Sequence, residues 1–296
     1  MIEGFLEYLR HERNYAELTV REYGRDLEHF QSYFKTLDDS LSWETVDSDV
    51  VRGWMECMMD SRQSATSVNR RLSALRSFYK YAMMAGLVAG NPARTVKGPK
   101  KHKPLPQFLK ESEIDELLQP EMWGERFEDF RARTLLLMLY STGMRRAEII
   151  SLRDKDVSLA RREVKVTGKR RKQRIIPLGQ EMIDALTLYQ QKRDEEIPVA
   201  DDTEALFRND KGKQMTDAQV YGMVKKYLSL VTTQKKRSPH VMRHSFATAM
   251  LNHDAKLGSV QKLLGHESLN TTQIYTHVTF EELKRTYSKA HPRETD

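Results

Sequence analysis

The 296-residue sequence contains one cysteine, Cys57, and no long uninterrupted apolar stretch. A single cysteine excludes a disulfide within the chain and fits the reducing conditions of the cytoplasm, and we expect its thiol to be buried and structural. The missing apolar stretch excludes a membrane-spanning helix. The first residues, MIEGFLEYLRHER, are typical of an amphipathic helix and not of a signal peptide. We therefore expect a cytoplasmic protein with no membrane partner.

Motifs of several enzyme classes are also missing. The sequence has no glycine-rich loop of the kind that binds phosphates, and no internal repeat. His240 and His244 stand four residues apart on a predicted helix, as in zinc hydrolases, but the glutamate of H-E-x-x-H is absent. Arg243 lies between the two histidines and would repel a metal ion. We therefore predict neither a metal nor another cofactor.

Charge is unevenly distributed along the chain. Lysine and arginine number 49 against 42 acidic residues, and the net charge of +7 favours a polyanionic partner. The basic residues gather in three runs, which are Lys97, Lys100, Lys101 and Lys103, then Lys169, Arg170, Arg171, Lys172 and Arg174, then Lys235, Lys236 and Arg237. One such run is usually a solvated surface, but three runs beside candidate sites favour nucleic acid. The candidate DNA-binding residues are the four lysines of the first run together with Arg170, Arg171 and Lys172.

The first part of the chain is predicted to be a helical domain, since a chain of this length favours two domains. Residues 1–94 have helical periodicity, with Thr19 predicted to cap the second helix and Gly86 to end the fourth. Their aromatic residues are expected to form the core rather than a surface for stacking bases. Residues 95–107 hold three prolines and four lysines and predict an extended linker that suits phosphate contacts. A purely solubilising linker is the alternative.

The second predicted domain spans residues 108–296 and is mostly helical with a small antiparallel sheet. Ser112 is predicted to cap its first helix, and an apolar helix at 126–141 is predicted to end at Gly143. The remaining predicted elements are a β-hairpin of residues 162–167 and 173–176, helices at 179–197 and 216–230, a short strand at 205–207, and a polar helix with a tail at 279–296.

Residues 238–277 are predicted to form three short helices that carry several polar side chains. Ser238 is a suitable N-cap and Pro239 suits the first helical position. The first helix then carries His240 and Arg243, which stand three residues apart and so share one face near the positive N-terminal end. Either residue alone is more simply a polar surface group.

The two shorter helices of this stretch bring in two more polar residues. The second helix is predicted to begin at Gly258 or Ser259 and to end at Gly265, which places His266 directly after it. A capping box predicts the start of the third helix, which carries Tyr275. A lone tyrosine on such a helix is usually part of the core, so only the combined pattern indicates a site.

Six polar residues make up this pattern: Arg145, Lys169, His240, Arg243, His266 and Tyr275. Guanidinium groups suit phosphate oxygens, imidazoles can donate to oxyanions, a lysine can protonate a leaving oxygen, and a phenol is a possible nucleophile. Fixed cations would then do what Mg²⁺ does in other phosphoryl-transfer sites. Arg145 has two interpretations, either a simple helical pair with Glu148 or an anion-binding group that Glu148 orients.

The residues around these positions resemble the motifs of tyrosine site-specific recombinases. The matching pieces are TGMRRAE (142–148), TGKRRKQR (167–174), HVMRHSFAT (240–248), LLGHESLNTTQIYTH (263–277) and HPR (291–293). FLEYLRHER and RRLSALRSFYKYAMMAGLVAGNPA in the first half also resemble the family, so the resemblance covers nearly the whole chain. The compact size and the HPR ending are most similar to the Xer subgroup.

The resemblance implies a fold and a reaction. The fold is a four-helix, SAM-like core-binding domain followed by an α-rich catalytic domain with a small antiparallel sheet. The reaction is site-specific cleavage and rejoining of DNA through a 3′-phosphotyrosine and a Holliday junction, without ATP or metal. The implied roles are nucleophile for Tyr275, phosphate binding for Arg145 and Arg243, general acid for Lys169, proton transfer for His240 and transition-state stabilisation for His266. Arg170 and Arg171 stand where the family commonly has glycine, which makes Lys172 a rival to Lys169.

The resemblance also implies partners. Members of the family act as homo- or hetero-tetramers on double-stranded DNA, with each C-terminal segment packed on a neighbouring subunit. Xer members resolve chromosome dimers at cell division and are activated by a cell-division DNA translocase. A mobile-element integrase or a DNA invertase of the same family is the alternative, because the residues that read the target sequence cannot be placed from the sequence.

Overall fold

A computed structural model describes residues 1–100, 107–168, 172–198, 204–265 and 280–293. The chain divides into two compact units, Met1–Pro104 and Leu105–Asp296, called here the N-terminal and C-terminal units. Among the described residues, no helix is both long and apolar enough to cross a membrane.

The N-terminal unit is a bundle of helices joined by short turns. Its elements are α1 (Ile2–Glu7), a π-helical turn (Tyr8–Glu12), α2 (Glu17–Leu37), α3 (Ser48–Asp60) and α4 (Ala65–Met84). The Asp47 carboxylate accepts from the first backbone N–H groups of α3, and Ser64 does the same for α4. The predicted cap at Thr19 is wrong, because α2 begins at Glu17 and the Thr19 N–H donates to the Ala16 carbonyl inside its first turn.

Aromatic side chains fill the core of the N-terminal unit, as predicted. The Phe30 ring lies 4.8 Å from that of Trp54, and the Trp43 ring lies 4.4 Å from that of Phe78. All four rings are buried, so their apolar area stabilises the bundle and is withheld from any ligand. The Cys57 thiol is exposed, which corrects the prediction of a buried structural cysteine.

The first residues of the predicted linker pack against the N-terminal unit. Val96 is buried in the aromatic core, and its carbonyl accepts from the Arg76 guanidinium at 2.5 Å. The Asn69 amide donates to the Pro99 carbonyl at 2.8 Å. The chain is therefore held to α4 as far as residue 99, and Lys97 and Lys100 lie exposed on this held stretch.

The C-terminal unit combines helices with one small sheet, which confirms the predicted fold class. Its elements are α5 (Glu111–Leu118), α6 (Phe127–Thr142), α7 (Arg146–Ile150), β1 (Val157–Ser158), β2 (Glu163–Thr167), β3 (Gln173–Pro177), α8 (Gln180–Glu196), α9 (Asp217–Val231), α10 (Pro239–Asn252), α11 (Leu257–Leu264) and α12 (Phe280–Ala290), with 3₁₀ turns at Pro120–Met122 and Asp154–Asp156. The three strands are antiparallel in the order β1-β2-β3, with Val164 opposite Ile176.

Two local predictions for this unit are wrong. Ser112 does not cap α5, because the helix begins at Glu111 and the Glu113 carboxylate accepts from the Lys110 backbone N–H at 2.8 Å. Residues 205–207 do not form a strand, since only Ala205 pairs, in an isolated bridge with Arg153.

Helix α6 is the centre of the C-terminal core. It is buried on almost every side and packs against α8 and α10, which is why its sequence is apolar all round. It ends at Gly143, whose φ of 58° lies in the left-handed region. A Cβ at this position would lie 2.5 Å from Phe246 Cδ1 and 2.7 Å from Leu264 Cδ2. Glycine therefore lets α10 and α11 approach the end of α6, directly before Arg145.

Gly143→Ala is expected to destabilise the C-terminal unit by about 2 kcal/mol or more, because it adds both backbone strain and a steric overlap. The measurement is urea unfolding followed by circular dichroism. The control is Gly222→Ala in α9, where an added Cβ meets nothing within 4 Å. That change should leave stability unchanged or raise it by up to about 1 kcal/mol. Equal stability of the two variants would contradict the proposed close approach at Gly143.

The end of α12 is anchored to its own unit. His291 is buried, and its ring packs against those of Tyr140, Phe246 and Tyr287. Burial lowers the pKa of His291 to about 3, so its ring is neutral at physiological pH. Arg293 forms a bidentate ion pair with Glu181, with the Nη2–Oε1 distance at 2.6 Å. Packing of the C-terminal segment on a neighbouring subunit stays a prediction.

Candidate active site

Arg145 is placed by the turn that ends α6. It is the N-cap residue of α7, and its backbone N–H donates to Glu148 Oε2 at 2.8 Å while its Nη1 donates to Oε1 at 2.9 Å. Nη2 donates to the Gly265 carbonyl at 3.3 Å. Glu148 is only 5% exposed, whereas the Arg145 side chain remains 40% exposed. The carboxylate therefore orients a guanidinium that is still accessible to an anion from outside.

Arg243 reaches the same place from α10. It is 7% exposed, and it donates from Nη1 to the Gly143 carbonyl at 2.5 Å and from Nη2 to the Leu264 carbonyl at 2.7 Å. Burial, and after it the nearby positive charge of Arg145, lower its pKa to about 10. The group remains protonated at neutral pH, and an anion bound between the two guanidiniums would offset their repulsion.

His240 lies in the first turn of α10, one turn before Arg243. Desolvation lowers the pKa of His240, and the neighbouring His244, Arg146, Arg243 and Arg145 lower it further because each disfavours another positive charge. The imidazole is exposed and is neutral at physiological pH, so it can accept a proton. Sequence spacing placed it on a common face with Arg243, and the structure brings both side chains near Arg145.

The C-terminal end of α11 is held by three arginines. Arg174, Arg243 and Arg145 donate in turn to the carbonyls of Leu263, Leu264 and Gly265. These are the last carbonyls of the helix, which lack partners within it and carry its negative dipole. The helix ends as predicted at Gly265, with φ of 64°. His266 is the next residue in the chain, so the segment that leads to the predicted nucleophile starts from this arginine cluster.

Half of the predicted catalytic residues can be placed. Arg145, His240 and Arg243 come together, whereas Lys169, His266 and Tyr275 lie outside the described residues. Of the predicted DNA-binding residues, Lys97, Lys100 and Lys172 are exposed, and Lys101, Lys103, Arg170 and Arg171 also lie outside the described residues. In the part of the chain that is described, no group of three His, Cys, Asp or Glu side chains is arranged to hold a metal ion.

Arg174 also lies in the arginine cluster, although its place in the sequence indicated only a basic run. It lies in β3 opposite Val166, two residues before the buried Ile176. Side chains two residues apart on a strand point to the same face. The alternation therefore places Arg174 on the inward face of the hairpin, and that signal was available in the sequence.

Comparisons with known proteins agree over the whole chain. The sequence profile of the Phage integrase family matches residues 107–282, and that of the Phage integrase N-terminal SAM-like domain matches residues 2–86. Tyrosine recombinase XerC of Chlorobaculum parvum is 38% identical in an alignment of 315 positions, gaps included, which covers 98% of this chain and 94% of the relative. Tyrosine recombinase XerD of Staphylococcus epidermidis is 35% identical, with 99% of each chain covered.

A solved structure gives the same result for the fold. The XerH site-specific recombinase, in a pre-cleavage complex bound to difH substrate, aligns with a TM-score of 0.71 and 26% identity, covering 97% of this chain and 84% of that one. Together with the arginine cluster and the two matched sequence profiles, these similarities show that the chain belongs to the phage integrase family of tyrosine recombinases and resembles its Xer members.

Proposed function

We propose that this protein cleaves and rejoins double-stranded DNA at a specific recombination site through a 3′-phosphotyrosine intermediate on Tyr275. One observation carries the proposal, namely that Arg145 and Arg243 both donate to the end of α11 directly before His266, with His240 close enough for both charges to lower its pKa. Two charged guanidiniums beside a neutral imidazole form a site for a phosphodiester and for proton transfer. Family membership and the Xer names of the relatives support the same reaction.

In this proposal the arginines bind the two non-bridging oxygens of the scissile phosphate. Arg145 is accessible and oriented by Glu148, while Arg243 is fixed by two carbonyls. Fixed donors need no reorganisation as charge develops on the phosphate oxygens, so they stabilise the transition state more than the bound substrate. They would take the place that Mg²⁺ has in other phosphoryl-transfer enzymes.

Proton transfer is assigned to residues that flank these arginines. His240 has a lowered pKa and is neutral at physiological pH, so it suits removal of the proton from the Tyr275 phenol, whose ordinary pKa is about 10. Lys169, the next residue in the sequence after Gly168, is proposed to protonate the leaving 5′-oxygen. His266 is proposed to donate to the phosphate in the transition state. The stored phosphotyrosine bond then allows rejoining without ATP.

The DNA substrate and the assembly are proposed by similarity to the family. The XerH structure holds its difH substrate, and we propose a comparable site for this chain, with Lys97, Lys100, Lys101, Lys103, Arg170, Arg171 and Lys172 contacting phosphates. We also propose a tetramer on two duplexes, formed from one or two kinds of subunit, and a Holliday-junction intermediate. The Xer resemblance points to resolution of chromosome dimers at cell division, with a DNA translocase as activating partner.

Incubation with a nicked suicide substrate that carries a candidate recombination site is the direct test. The nick lets a short DNA end diffuse away after cleavage, so the expected product is a covalent protein–DNA adduct that survives denaturation. It should form at the same rate in excess EDTA, because arginines supply the positive charge. The same oligonucleotide with a scrambled site is the control. A strict requirement for Mg²⁺ would contradict the proposed roles of Arg145 and Arg243.

A further inference from the structure

Arg174 is the most heavily connected side chain in the arginine cluster. Its side chain is 13% exposed, and each of its three nitrogens has a partner. Nε donates to the Leu263 carbonyl at 2.7 Å, Nη1 to Glu148 Oε1 at 3.0 Å and Nη2 to Glu148 Oε2 at 2.8 Å. A bidentate pair of this kind fixes both the distance and the plane of the carboxylate. One strand residue therefore ties β3 to α7 and to the end of α11.

The Glu148 carboxylate is shared between two arginines. Oε1 accepts from Nη1 of both Arg145 and Arg174, and Oε2 accepts from the Arg145 backbone N–H and from Arg174 Nη2. Burial by itself would raise the pKa of Glu148, but the bonds from Arg174 and then from Arg145 outweigh burial and hold the pKa below its ordinary value. The carboxylate that orients Arg145 therefore stays ionised because Arg174 and, after it, Arg145 donate to it.

Two glycines, Gly168 after β2 and Gly265 after α11, lie close against the Arg174–Glu148 pair. A Cβ at Gly265 would lie 3.2 Å from Arg174 Nη1, and a Cβ at Gly168 would lie 3.2 Å from Glu148 Oε1. The Gly168 N–H donates to the Lys172 carbonyl at 2.8 Å, which closes the base of the hairpin tip. Gly265 is the residue before His266, and Gly168 is the residue before Lys169. The residues that directly precede His266 and Lys169 therefore both lie against the Arg174–Glu148 pair.

We propose that Arg174 is a positioning residue of the active site, which holds Glu148, and through it Arg145, at the junction of β3, α7 and the C-terminal end of α11. The inference rests on the proposed function, since it assigns Arg174 to the phosphoryl-transfer site. Arg174 acts through Glu148 and the α11 carbonyl, and each of its three guanidinium nitrogens donates to one of these protein partners. It sets the geometry of the groups that bind the phosphate.

Removal of Arg174 should change the pH dependence of cleavage. Without it, Arg145 is the one direct partner that the buried Glu148 carboxylate keeps among the described residues, and the pKa of Glu148 rises. Among the described residues, the other charged groups around it are Arg243 from α10 and, across a cavity of about 200 Å³, Arg153, Asp156 and Lys165. As pH falls through the raised pKa, Glu148 becomes protonated and Arg145 loses its orienting anion. The variant-to-native rate ratio should therefore fall as pH is lowered.

The experiment compares Arg174→Ala and Arg174→Lys with the native chain in single-turnover cleavage of the nicked suicide substrate, across mildly acidic to mildly alkaline pH. Arg174→Ala is expected to slow cleavage by about 100-fold near neutral pH, with DNA affinity little changed. Arg174→Lys keeps the positive charge but loses the bidentate guanidinium. It should cleave faster than Arg174→Ala, though slower than the native chain, and should show little of the added pH dependence. Rates are normalised to the folded fraction determined by circular dichroism.

The matched control is Arg193→Ala in the same unit. Arg193 is also a buried arginine, and it donates to Asp154 at 2.7 Å and to the Leu206 carbonyl at 2.9 Å, with no bond to the arginine cluster. It should lower stability while leaving the normalised rate and its pH profile native. A flat variant-to-native ratio for Arg174→Ala, or an equal loss in Arg193→Ala, overturns the proposal. Absence of adducts from the native chain would instead refute the proposed function, and this inference with it.

Discussion

Tyr275→Phe is expected to abolish covalent attachment of the protein to DNA while leaving DNA binding unchanged. The substitution removes only the phenol oxygen, which is the atom proposed to form the bond with the scissile phosphate. Loss of a nucleophile lowers the rate of a covalent step by on the order of 10⁴-fold or more. The measurement is the yield of denaturation-resistant adduct on a labelled suicide substrate, together with affinity from a gel-shift titration.

Tyr15→Phe serves as the control for this prediction, because Tyr15 is a partly exposed phenol in the N-terminal unit. It should form adducts at the native rate. Adducts that persist in Tyr275→Phe would remove this residue as the nucleophile, and peptide mapping of the adduct would then identify the residue that carries the DNA. Loss of DNA binding in Tyr275→Phe would show instead that the phenol has a structural role.

The elements of the fold that follow from local chemistry could be predicted from the sequence. The start predicted for α2 at Thr19 and the end predicted for α4 at Gly86 lie within three residues of those observed, since burying one face is the main term that stabilises such helices. Gly143 and Gly265 were predicted to end α6 and α11, and both adopt positive φ. A left-handed C-cap depends on one residue type at one position, so it is visible without tertiary information.

Interactions between distant segments explain what the sequence did not predict. Arg174 was assigned only to a basic run that favoured nucleic acid, because its partners, Glu148 and the Leu263 carbonyl, come from the distant elements α7 and α11. The proposed caps at Thr19 and Ser112 failed for a different reason. Serine and threonine favour the N-cap position by a small energy, and at α5 the Glu113 carboxylate supplies the capping bond to the Lys110 N–H instead.

Arg145 was given two interpretations, a simple helical pair with Glu148 or an anion-binding group that Glu148 orients, and the structure is compatible with both at once. The predicted pair with Glu148 is present, so the helical-pair interpretation is correct as geometry. The same carboxylate also accepts from Arg174 and is almost fully buried, which an ordinary surface pair between neighbouring turns would not require. A buried carboxylate between two arginines is an expensive arrangement unless all its oxygens are satisfied, as they are here. This cost favours a role in holding Arg145 for the phosphate.

Arg243→Ala is expected to cause the second large loss, in both cleavage and stability. It removes two short hydrogen bonds, to Gly143 and Leu264, and leaves both carbonyls buried without that partner. Each charge-assisted bond contributes about 1.5–3 kcal/mol, so unfolding free energy should fall by about 3 kcal/mol or more. Cleavage by the folded fraction should fall by about 10³-fold, because a fixed donor to the transition state is lost.

Arg243→Lys keeps the positive charge at this position but removes the guanidinium geometry, so it measures the two contributions separately. A single ammonium cannot replace two guanidinium arms that donate to Gly143 and Leu264 while the group faces a phosphate, so we expect about a 10²-fold loss of cleavage with a smaller loss of stability. Arg131→Ala is the control, since Arg131 is buried in the same unit and donates to the Arg208 carbonyl at 3.1 Å and to Asp210 at 2.6 Å. Urea unfolding and normalised single-turnover rates distinguish the cases. If Arg131→Ala lost as much normalised activity as Arg243→Ala, the effect would come from general destabilisation, and Arg243 would no longer be the residue that binds the phosphate.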